Sequence, residues 1–290
     1  MEKYKVVIIG SGIAGMTCAI YLKRGGIDPV IIENSAPGGT LNVIPNIENY
    51  PGYESISGPD LAMNIYNQVN SLGIKYLFKN ISSIDFGNKI IDNEIEYDYL
   101  VIATGRKHRM LGLDNEKELL GRGISTCALC DGNFYKDKEV VVVGGASSSL
   151  TEALYLSNIC KKVTIIHRGN SFTGERYLID KVNNCKNIKV LFNSNVTSYN
   201  IKKDTLVSVT LDNKKKVKCS GVFLSIGSTP NSGLFDVEKD NDYIVVDNNY
   251  MTNIDNVYAI GDVIKKDVYQ LTTASSEGSI CANNILKKEK

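Results

Sequence analysis

The residues with the clearest chemical potential are two cysteines, Cys127 and Cys130, in the segment Cys-Ala-Leu-Cys-Asp-Gly. Two thiols separated by two residues can form a reversible disulfide, and local electrostatics can lower the pKa of one of them. The spacing therefore predicts thiol–disulfide exchange at this pair.

A zinc site and inert thiols are the alternatives for this pair. Zinc would need two further ligands, but there is no second Cys-x-x-Cys and the two histidines are His108 and His167. We therefore expect no metal. The other cysteines are scattered, which does not suggest a disulfide framework, and we expect core or surface thiols at Cys18, Cys160, Cys185, Cys219 and Cys281.

The overall charge excludes several classes of partner. Lys and Arg number 33 against 32 Asp and Glu, so a net charge of +1 gives no general attraction to nucleic acid or membrane. The start of the chain lacks the features of a signal peptide, and no apolar run reaches the roughly 20 residues that span a bilayer. We expect a cytoplasmic protein without a nucleic-acid or membrane partner.

A glycine-rich turn near the start predicts a dinucleotide site. The segment Gly-Ser-Gly-Ile-Ala-Gly, residues 10–15, follows an apolar strand at residues 5–9 and opens a helix at about 14–24. A second strand at 29–33 ends in Glu33, which could accept hydrogen bonds from a ribose hydroxyl. Glycines at these positions allow a tight turn, a close pyrophosphate and close helix–strand packing. The alternative is a turn that binds nothing.

A second unit repeats this design, with strands at residues 139–143 and 162–167 around a Gly/Ser turn and a helix at about 150–160. Repetition at this distance indicates a duplicated domain. The predicted fold class is α/β, with two Rossmann-like, three-layer domains and the second inserted into the first. The predicted boundaries give a first domain of residues 1–112 and 242–290, and an inserted domain of 113–241 that carries the cysteine pair.

Several segments resemble the low-molecular-weight thioredoxin reductases, over about residues 4–285: Pro37–Leu41, Ile47–Gly52, Ala103–Gly105, Ala259–Val263 and Gln270–Ala274. The resemblance implies bound FAD, a thioredoxin substrate and a homodimer. The FAD-binding residues that it implies are Gly10, Gly12, Ala14, Gly15, Glu33, Gly39, Thr40, Leu41, Asn49, Ala103, Thr104, Gly105, Gly261, Asp262, Gln270, Leu271 and Thr272. The sequence departs from the family at Thr40, where Gln is common, and at Tyr269, where Arg is common.

The cysteine segment resembles the family's Cys-Ala-Thr-Cys-Asp, with Leu129 in place of Thr. This resemblance implies that Cys130 lies nearest the flavin and that Cys127 exchanges with thioredoxin. Asp131 becomes the candidate general acid or base that handles the thiol proton, although a helix cap is an alternative that is compatible with catalysis.

The second glycine-rich turn departs from the family's Gly-x-Gly-x-x-Ala. Ala146 stands where a glycine lets the pyrophosphate approach, and Ser149 stands at the small apolar position. The family's His-Arg-Arg-x-x-x-Arg has lost two arginines, at Gly169 and Thr173, while Arg168 remains. Each lost contact to a 2′-phosphate removes about 1.5–3 kcal/mol, which together weakens NADPH binding by roughly 10²–10⁴-fold.

These departures resemble the ferredoxin-dependent flavin thioredoxin reductases, which implies reduced ferredoxin as the electron donor. An NAD(P)H-dependent enzyme with an altered cofactor site and a non-catalytic flavin and thiol sensor are the alternatives. Docking of an acidic ferredoxin would need a basic patch, and each of the candidates could equally be an ordinary solvated charge. They are Arg106, Lys107, Arg109, Lys136, Lys138, Lys265 and Lys266.

Overall fold

A computed structural model describes residues 1–44 and 47–289, which fall into two units. The first unit comprises Met1–Lys107 and Thr229–Lys290, and the second comprises His108–Ser228. Both boundaries lie earlier in the chain than residues 112 and 241, where the sequence placed them. The reason is packing: Phe235 is buried in the core of the first unit, whereas Leu111 packs against the core of the second.

Short strands and a few longer helices make up both units. The strands are β1 (Glu2–Ile9), β2 (Pro29–Glu33), β3 (Lys75–Phe78), β4 (Ile84–Asp85), β5 (Ile90–Ile91), β6 (Ile95–Ile102), β7 (Arg106–His108), β8 (Ile124–Ser125), β9 (Glu139–Val143), β10 (Lys162–Ile166), β11 (Ile188–Leu191), β12 (Val196–Lys202), β13 (Thr205–Leu211), β14 (Lys216–Lys218), β15 (Gly221–Leu224), β16 (Ser228–Pro230), β17 (Lys239–Asp240), β18 (Tyr243–Ile244) and β19 (Val257–Ala259). The helices are α1 (Ile13–Arg24), α2 (Gly58–Ser71), α3 (Glu116–Leu119), α4 (Ala128–Asp131), α5 (Ser147–Ser157), α6 (Arg176–Asn184) and α7 (Leu271–Lys288).

The first unit is built on a sheet with the order β3-β2-β1-β6-β5-β4, and β19 pairs with β6. The pairs of β1 with β2 and with β6 are parallel. Both faces of this sheet are covered, so the strands are nearly continuous apolar runs. One face packs against α1 and α7, through residues that include Met16 and Cys281.

The second unit is a parallel sheet, β11-β10-β9-β15-β8, between two layers. Successive side chains of β9 point to opposite faces. Val140 and Val142 pack with residues of α5 and α6, while Val141 and Val143 pack with the antiparallel sheet β12-β13-β14. The chain turns between β13 and β14 at Lys214, which has a positive φ of 64°.

The main predicted elements form with modest shifts. Helix α5 begins at Ser147 rather than at residue 150, because the carbonyl of the extended residue Ala146 already accepts a helical hydrogen bond from the N–H of Leu150 at 3.1 Å. It ends correspondingly early, at Ser157. The described residues, 1–44 and 47–289, contain no helix that is both long enough and apolar enough to cross a membrane.

Candidate active site

Two glycines of the first turn are required by the packing of the protein itself. Gly10 has a φ of +104°, and a Cβ there would lie 2.5 Å from the carbonyl oxygen of Ala103. A Cβ on Gly15 would lie only 2.1 Å from the carbonyl oxygen of Gly10. These contacts bring α1 against β1 and β6, so the turn and helix have the close approach that the sequence predicts.

Gly12 is different, because neither the backbone nor the packing requires a glycine there. Its φ of −68° and ψ of 178° suit any residue, and a Cβ on it would meet no atom within 4 Å. Gly39 lies close by, since a Cβ there would be 3.3 Å from the Gly12 Cα. The backbone is therefore bare and open where a dinucleotide pyrophosphate needs to approach, and these residues fit FAD.

Glu33 is held in place by hydrogen bonds at the end of β2. Its Oε2 accepts hydrogen bonds from the backbone N–H of Ser11 at 2.9 Å and from Ser11 Oγ at 2.7 Å. Its Oε1 accepts from the N–H groups of Asn34 at 2.9 Å and Ser35 at 3.1 Å. Sequence reasoning found Glu33 but missed Ser11, whose place between two turn glycines was the available signal.

Residues far apart in the sequence meet in the first unit, at this turn and at the start of α7. A Cβ on Gly261 would lie 3.0 Å from the Cβ of Ala14, so the Gly261–Asp262 pair lies next to α1. Asn49 Nδ2 donates a hydrogen bond to Gln270 Oε1 at 3.3 Å. Gln270 also caps α7, where its backbone N–H donates to Thr273 Oγ1 at 3.1 Å.

The segment after β6 is fixed by Asn231. Thr104 Oγ1 donates to the carbonyl of Asn231 at 2.8 Å, and Asn231 Nδ2 returns a bond to the carbonyl of Thr104 at 2.9 Å. Gly105, with a φ of +65°, completes the turn. Of the other predicted FAD residues, Leu41 is buried, Leu271 is half-buried, and Thr40 and Thr272 are exposed.

Two members of the proposed basic patch are not available for docking. Arg106 and Lys266 have side chains only 18% and 11% exposed, and both form ion pairs with Asp262. The pattern of charges along the sequence could not reveal this, because Arg106 and Asp262 lie on different elements. The exposed members are Lys107, Arg109, Lys136, Lys138 and Lys265.

The predicted cysteine pair is confirmed as a disulfide, with an S–S distance of 2.08 Å between Cys127 and Cys130. Cys127 lies immediately before α4, and its Sγ accepts a hydrogen bond from the N–H of Cys130 at 3.2 Å. Ser125 Oγ accepts from the N–H of Cys127 at 3.0 Å. Hydrogen bonds thus fix both the backbone N–H and the sulfur of Cys127.

Asp131 has the environment of a proton carrier. It is the last residue of α4, directly after Cys130, and its Oδ1 is buried without a hydrogen-bond partner among the described residues. Burial raises the pKa of Asp131, against the opposing effect of a hydrogen bond from Ser125. A carboxyl group with a raised pKa holds its proton at higher pH than an exposed aspartate, which suits general acid or base chemistry.

The other described cysteines are free thiols. Burial raises the pKa of Cys160 to about 11 and that of Cys219 to about 12. Burial and its neighbour Cys18 raise the pKa of Cys281 as well. Such thiols form little thiolate at neutral pH and are poor nucleophiles. Within residues 1–44 and 47–289, no group of three or more His, Cys, Asp or Glu side chains is arranged to hold a metal ion.

The second turn has the same frame but a different surface. Gly144 has a φ of +152°, and a Cβ there would lie 2.4 Å from the carbonyl oxygen of Ser225. Ala146 is exposed and extended, so its methyl group lies on the turn surface. Ser149 is fully buried, and its Oγ donates to the carbonyl of Ala146 at 2.7 Å.

The segment that follows β10, where Arg168 is kept and Gly169 and Thr173 stand in place of the other two arginines, is built around His167. A Cβ on Gly145 would lie 2.2 Å from His167 Nδ1, so the imidazole ring covers this part of the turn. The N–H of Thr173 donates to the carbonyl of Gly145 at 2.9 Å. Arg168 and Arg176 are both exposed, which leaves them as the nearby cations for a 2′-phosphate.

Known proteins match this chain over nearly its whole length. Residues 4–278 match the family described as pyridine nucleotide-disulphide oxidoreductase. The thioredoxin reductase of Rickettsia prowazekii (strain Madrid E) is 37% identical over 301 residues, which cover 98% of this chain and 97% of that protein. The crystal structure of thioredoxin reductase from Streptococcus pyogenes MGAS5005 aligns with a TM-score of 0.92 and 33% identity, and 99% of each chain is covered.

A ferredoxin-flavin thioredoxin reductase is also similar. The crystal structure of that protein from Clostridium acetobutylicum aligns with a TM-score of 0.54 and 26% identity, and covers 100% of this chain and 99% of its own. Both identity and TM-score are lower than for the Streptococcus pyogenes structure. The expectation that this chain is nearest to the ferredoxin-dependent type is therefore not confirmed.

Proposed function

We propose that this chain, which belongs to the pyridine nucleotide-disulphide oxidoreductase family, reduces the disulfide of thioredoxin through the Cys127–Cys130 pair. It is a flavoenzyme of the thioredoxin reductase type, and its cofactor is FAD. The observation that carries the proposal is the Cys127–Cys130 disulfide beside a buried carboxyl group, in a chain whose first dinucleotide turn is open. A homodimer, implied by the resemblance, stays a prediction.

The first unit supplies the residues that would hold FAD. Gly12 and Gly39 provide bare backbone for the pyrophosphate, and Glu33 would accept from a ribose hydroxyl in exchange for one of its present hydrogen bonds from Ser11 or Ser35. Asp262 follows Gly261 beside the turn, and Gln270 precedes α7; both would contact the remainder of the cofactor. When bound, FAD supplies the electron pair that reduces the disulfide.

Reduction of the Cys127–Cys130 disulfide takes two electrons and two protons and breaks the S–S bond to give two thiols. Asp131 is placed to deliver or accept one of these protons. Cys127, as thiolate, then attacks one sulfur of the thioredoxin disulfide and displaces the other sulfur as a thiolate, forming a mixed disulfide. Attack by Cys130 on Cys127 releases reduced thioredoxin and restores the starting disulfide.

The test of this function uses a chemical electron source in place of the biological donor. Photochemical reduction of the bound flavin should drive many turnovers of thioredoxin reduction. The number of turnovers is measured by labelling the new thiols of thioredoxin. A single turnover at most, with no catalytic excess, would favour the alternative in which flavin and thiols only sense redox state.

A pyridine nucleotide is the first candidate for the biological donor. The matching family is that of the pyridine nucleotide-disulphide oxidoreductases, and thioredoxin reductases from several bacteria match 96–98% of this chain at 34–37% identity. The second turn also retains the glycine at 144 and the cations Arg168 and Arg176. On these grounds the enzyme would use NAD(P)H through an altered and weaker site.

Ferredoxin is the second candidate, because of the chemistry of the second turn. Ala146 places a methyl group where the first turn has bare backbone, and Gly169 and Thr173 supply no charge for a 2′-phosphate. A flavin can accept single electrons and pass on two, so two one-electron transfers would serve each disulfide. The Clostridium acetobutylicum protein is a named precedent with the same overall fold.

Rapid mixing of the yellow protein with each donor separates the two candidates. Saturable bleaching of the flavin at micromolar NADPH would support the pyridine nucleotide. Slow bleaching by both NADPH and NADH, with fast bleaching by reduced ferredoxin, would support ferredoxin. The absorbance near the flavin maximum is the readout in each case.

A further inference from the structure

The carboxylate of Asp262 is held between two cations. Arg106 Nε lies 3.3 Å from Asp262 Oδ2, and Lys266 Nζ lies 3.3 Å from Asp262 Oδ1. Each carboxylate oxygen therefore has its own positive partner at ion-pair distance. Asp262 itself keeps 30% of its side chain exposed, so one side of the group remains accessible to a ligand.

A buried carboxylate fixes the backbone beneath Asp262. Glu277 Oε2 accepts a hydrogen bond from the N–H of Gly261 at 2.7 Å, and Lys266 Nζ donates to Glu277 Oε1 at 2.8 Å. Burial raises the pKa of Glu277, against the opposing effects of Lys266 and the Gly261 N–H. Lys266 thus forms ion pairs with both Glu277 and Asp262. Arg106 is the second cation beside Asp262.

The ring of Tyr269 fixes the guanidinium of Arg106. The Arg106 Cζ lies 3.9 Å from the centre of this ring, a distance at which a cation is attracted to an aromatic face. The hydroxyl of Tyr269 donates to the carbonyl of Ile264 at 3.4 Å, and burial raises the pKa of the hydroxyl to about 12. The ring is therefore neutral and anchored, and it lies against the guanidinium that pairs with Asp262.

We propose that Arg106, stacked on Tyr269, is a positioning residue for FAD that acts by orienting the Asp262 carboxylate. The proposal rests on the proposed function, since it takes Asp262 to be a ligand of FAD. It gives a role to Tyr269: the residue does not carry the charge itself but supports a charge that comes from the strand β7. The guanidinium of Arg106, on β7, and the ring of Tyr269, just before α7, thus act together.

The binding of FAD to the apoprotein, followed by quenching of flavin fluorescence, tests this proposal. Arg106→Ala should weaken binding roughly tenfold, the effect of one lost charge-assisted contact. Arg106→Lys keeps the charge but loses the planar stacking, so its loss should be smaller. Lys265→Ala is the matched control, because Lys265 adjoins Lys266 but pairs with Asp240 at an exposed position, and its FAD affinity should equal that of the wild type.

A double-mutant cycle with Asp262→Asn separates positioning from a merely structural role. If Arg106 acts through Asp262, Arg106→Ala should add less than a threefold loss in the Asp262→Asn background. Full additivity of the two losses would overturn the proposal. Returning a guanidinium from the other side, in the double variant Arg106→Ala with Tyr269→Arg, should recover most of the affinity, and no recovery would also count against it.

The outcomes distinguish this proposal from the proposed function. A wild-type apoprotein that does not bind FAD defeats both. A wild type that binds FAD, with an Arg106→Ala variant of equal affinity, defeats only the role of Arg106. If Arg106→Ala does not fold, as judged by circular dichroism of the apoprotein, Tyr269→Leu removes the aromatic support while leaving every charge in place and should weaken FAD binding by a severalfold factor; unchanged affinity there overturns the proposal.

Discussion

The two glycine-rich turns of this chain share one backbone frame. In the first, the N–H of Gly10 donates to the carbonyl of Ile32 at 2.9 Å; in the second, Gly144 donates to Ile166 at 3.1 Å. The returning chain also makes the same bond in both, from Gly38 to Ser11 and from Thr173 to Gly145, each at 2.9 Å. Strand pairing therefore preserves the turn in both units, whatever the turn binds.

The turns differ in the side chains on that frame. Open space above Gly12 corresponds to the methyl group of Ala146, which occupies the same N-cap position of its helix. The registers of the two strand pairs place Glu33 and His167 at equivalent positions. One turn thus ends at an acid suited to a ribose, and the other at an imidazole ring that lies against Gly145.

This comparison separates what maintains a fold from what maintains a ligand site. Gly10 and Gly144 have positive φ and close backbone contacts, so both are fixed by the fold. Gly12 has neither constraint, so the protein's own packing does not explain a glycine there, whereas close approach of a ligand does. The second turn, which has Ala146 at the equivalent position, accordingly keeps its strands and helix intact.

The largest effect should come from filling the open space of the first turn. Gly12→Val suits the local backbone and its Cβ would meet no protein atom within 4 Å, yet its side chain would extend toward the expected pyrophosphate position. We expect FAD affinity to fall by more than about 10³-fold, the scale of several lost phosphate contacts, and activity to fall with it. Absorbance of the purified protein and titration of the apoprotein with FAD are the measurements.

Ala146→Val is the matched variant in the second turn, at the equivalent N-cap with a φ of −93°. It should retain FAD at wild-type affinity. Equal loss of FAD from both variants would show that the effect of residue 12 is a general one on folding, and would break the comparison.

Loss of either cysteine should abolish thioredoxin reduction and leave FAD in place. Exchange needs one sulfur to attack and a second to resolve the mixed disulfide, so Cys127→Ser and Cys130→Ser are each expected to be inactive. Such a result would show that the second unit needs the disulfide for activity, independently of what its glycine-rich turn binds. A coupled assay of thioredoxin thiols and the flavin spectrum together provide the readout.

Cys160→Ser and Cys219→Ser are the controls, because burial raises the pKa of both thiols to about 11 and about 12. Both should keep most of the wild-type activity. Retained turnover in Cys127→Ser or Cys130→Ser would reject the assigned pair.

The sequence predicted the parts of this molecule that depend on local patterns. The strands β1 and β9, the glycine turns and the Cys127–Cys130 disulfide all follow from periodicity and short motifs, which few tertiary contacts can override. The boundaries between the units did not, because the sequence gives no sign that residues 229–241 leave the inserted domain, whereas Phe235 is buried in the first core.

The Asp262 cluster could not be predicted for a related reason. Arg106 and Lys266 read as surface cations in the sequence, and their pairing with Asp262 depends on how β7 and the turn after β19 come together. Such long-range ion pairs leave no periodic signal. The departure at Tyr269 was visible, but its partner Arg106 was not.

Asp131→Asn should slow thioredoxin reduction by roughly 10²-fold, the lower end of the usual contribution of a general acid or base. Burial raises the pKa of Asp131 above its usual value of 3.8. The proton-donating form is therefore lost only as pH rises through this raised pKa, and the rate of a step that needs a donor should fall over that window. The variant should lack this limb of the pH–rate profile, and a limb that persists would assign the proton to another group.

The same shift predicts the sign of the effect on stability. Ionised Asp131 is disfavoured only in the folded state, so it lowers the free energy of unfolding above its folded pKa and has no such effect below pH 3.8. At pH 7, Asp131→Asn should therefore unfold at the same temperature as the wild type or higher, as measured by thermal melting. A lower melting temperature would show that the carboxylate stabilises the fold.

The smallest effect, and the closest test of the comparison, is the repair of the second turn. Thr173 is exposed, so Thr173→Arg can return one arginine to the 2′-phosphate position, and Ala146→Gly bares the backbone as at Gly12. One restored charge-assisted contact is worth about 1.5–3 kcal/mol, so the double variant should bind NADPH roughly 10–100-fold more tightly. The gain should be larger for NADPH than for NADH, because only NADPH carries the phosphate that the new guanidinium contacts.

Ala146→Gly alone should strengthen the binding of both nucleotides equally, which makes it the internal control for the charge. Gly169 is left unchanged, since a side chain there would meet His167 Nε2 at 2.8 Å. Rates of flavin bleaching against nucleotide concentration give the affinities; a wild type that already saturates at micromolar NADPH would show that the second turn binds well without these residues, and that the two turns differ less in function than in sequence.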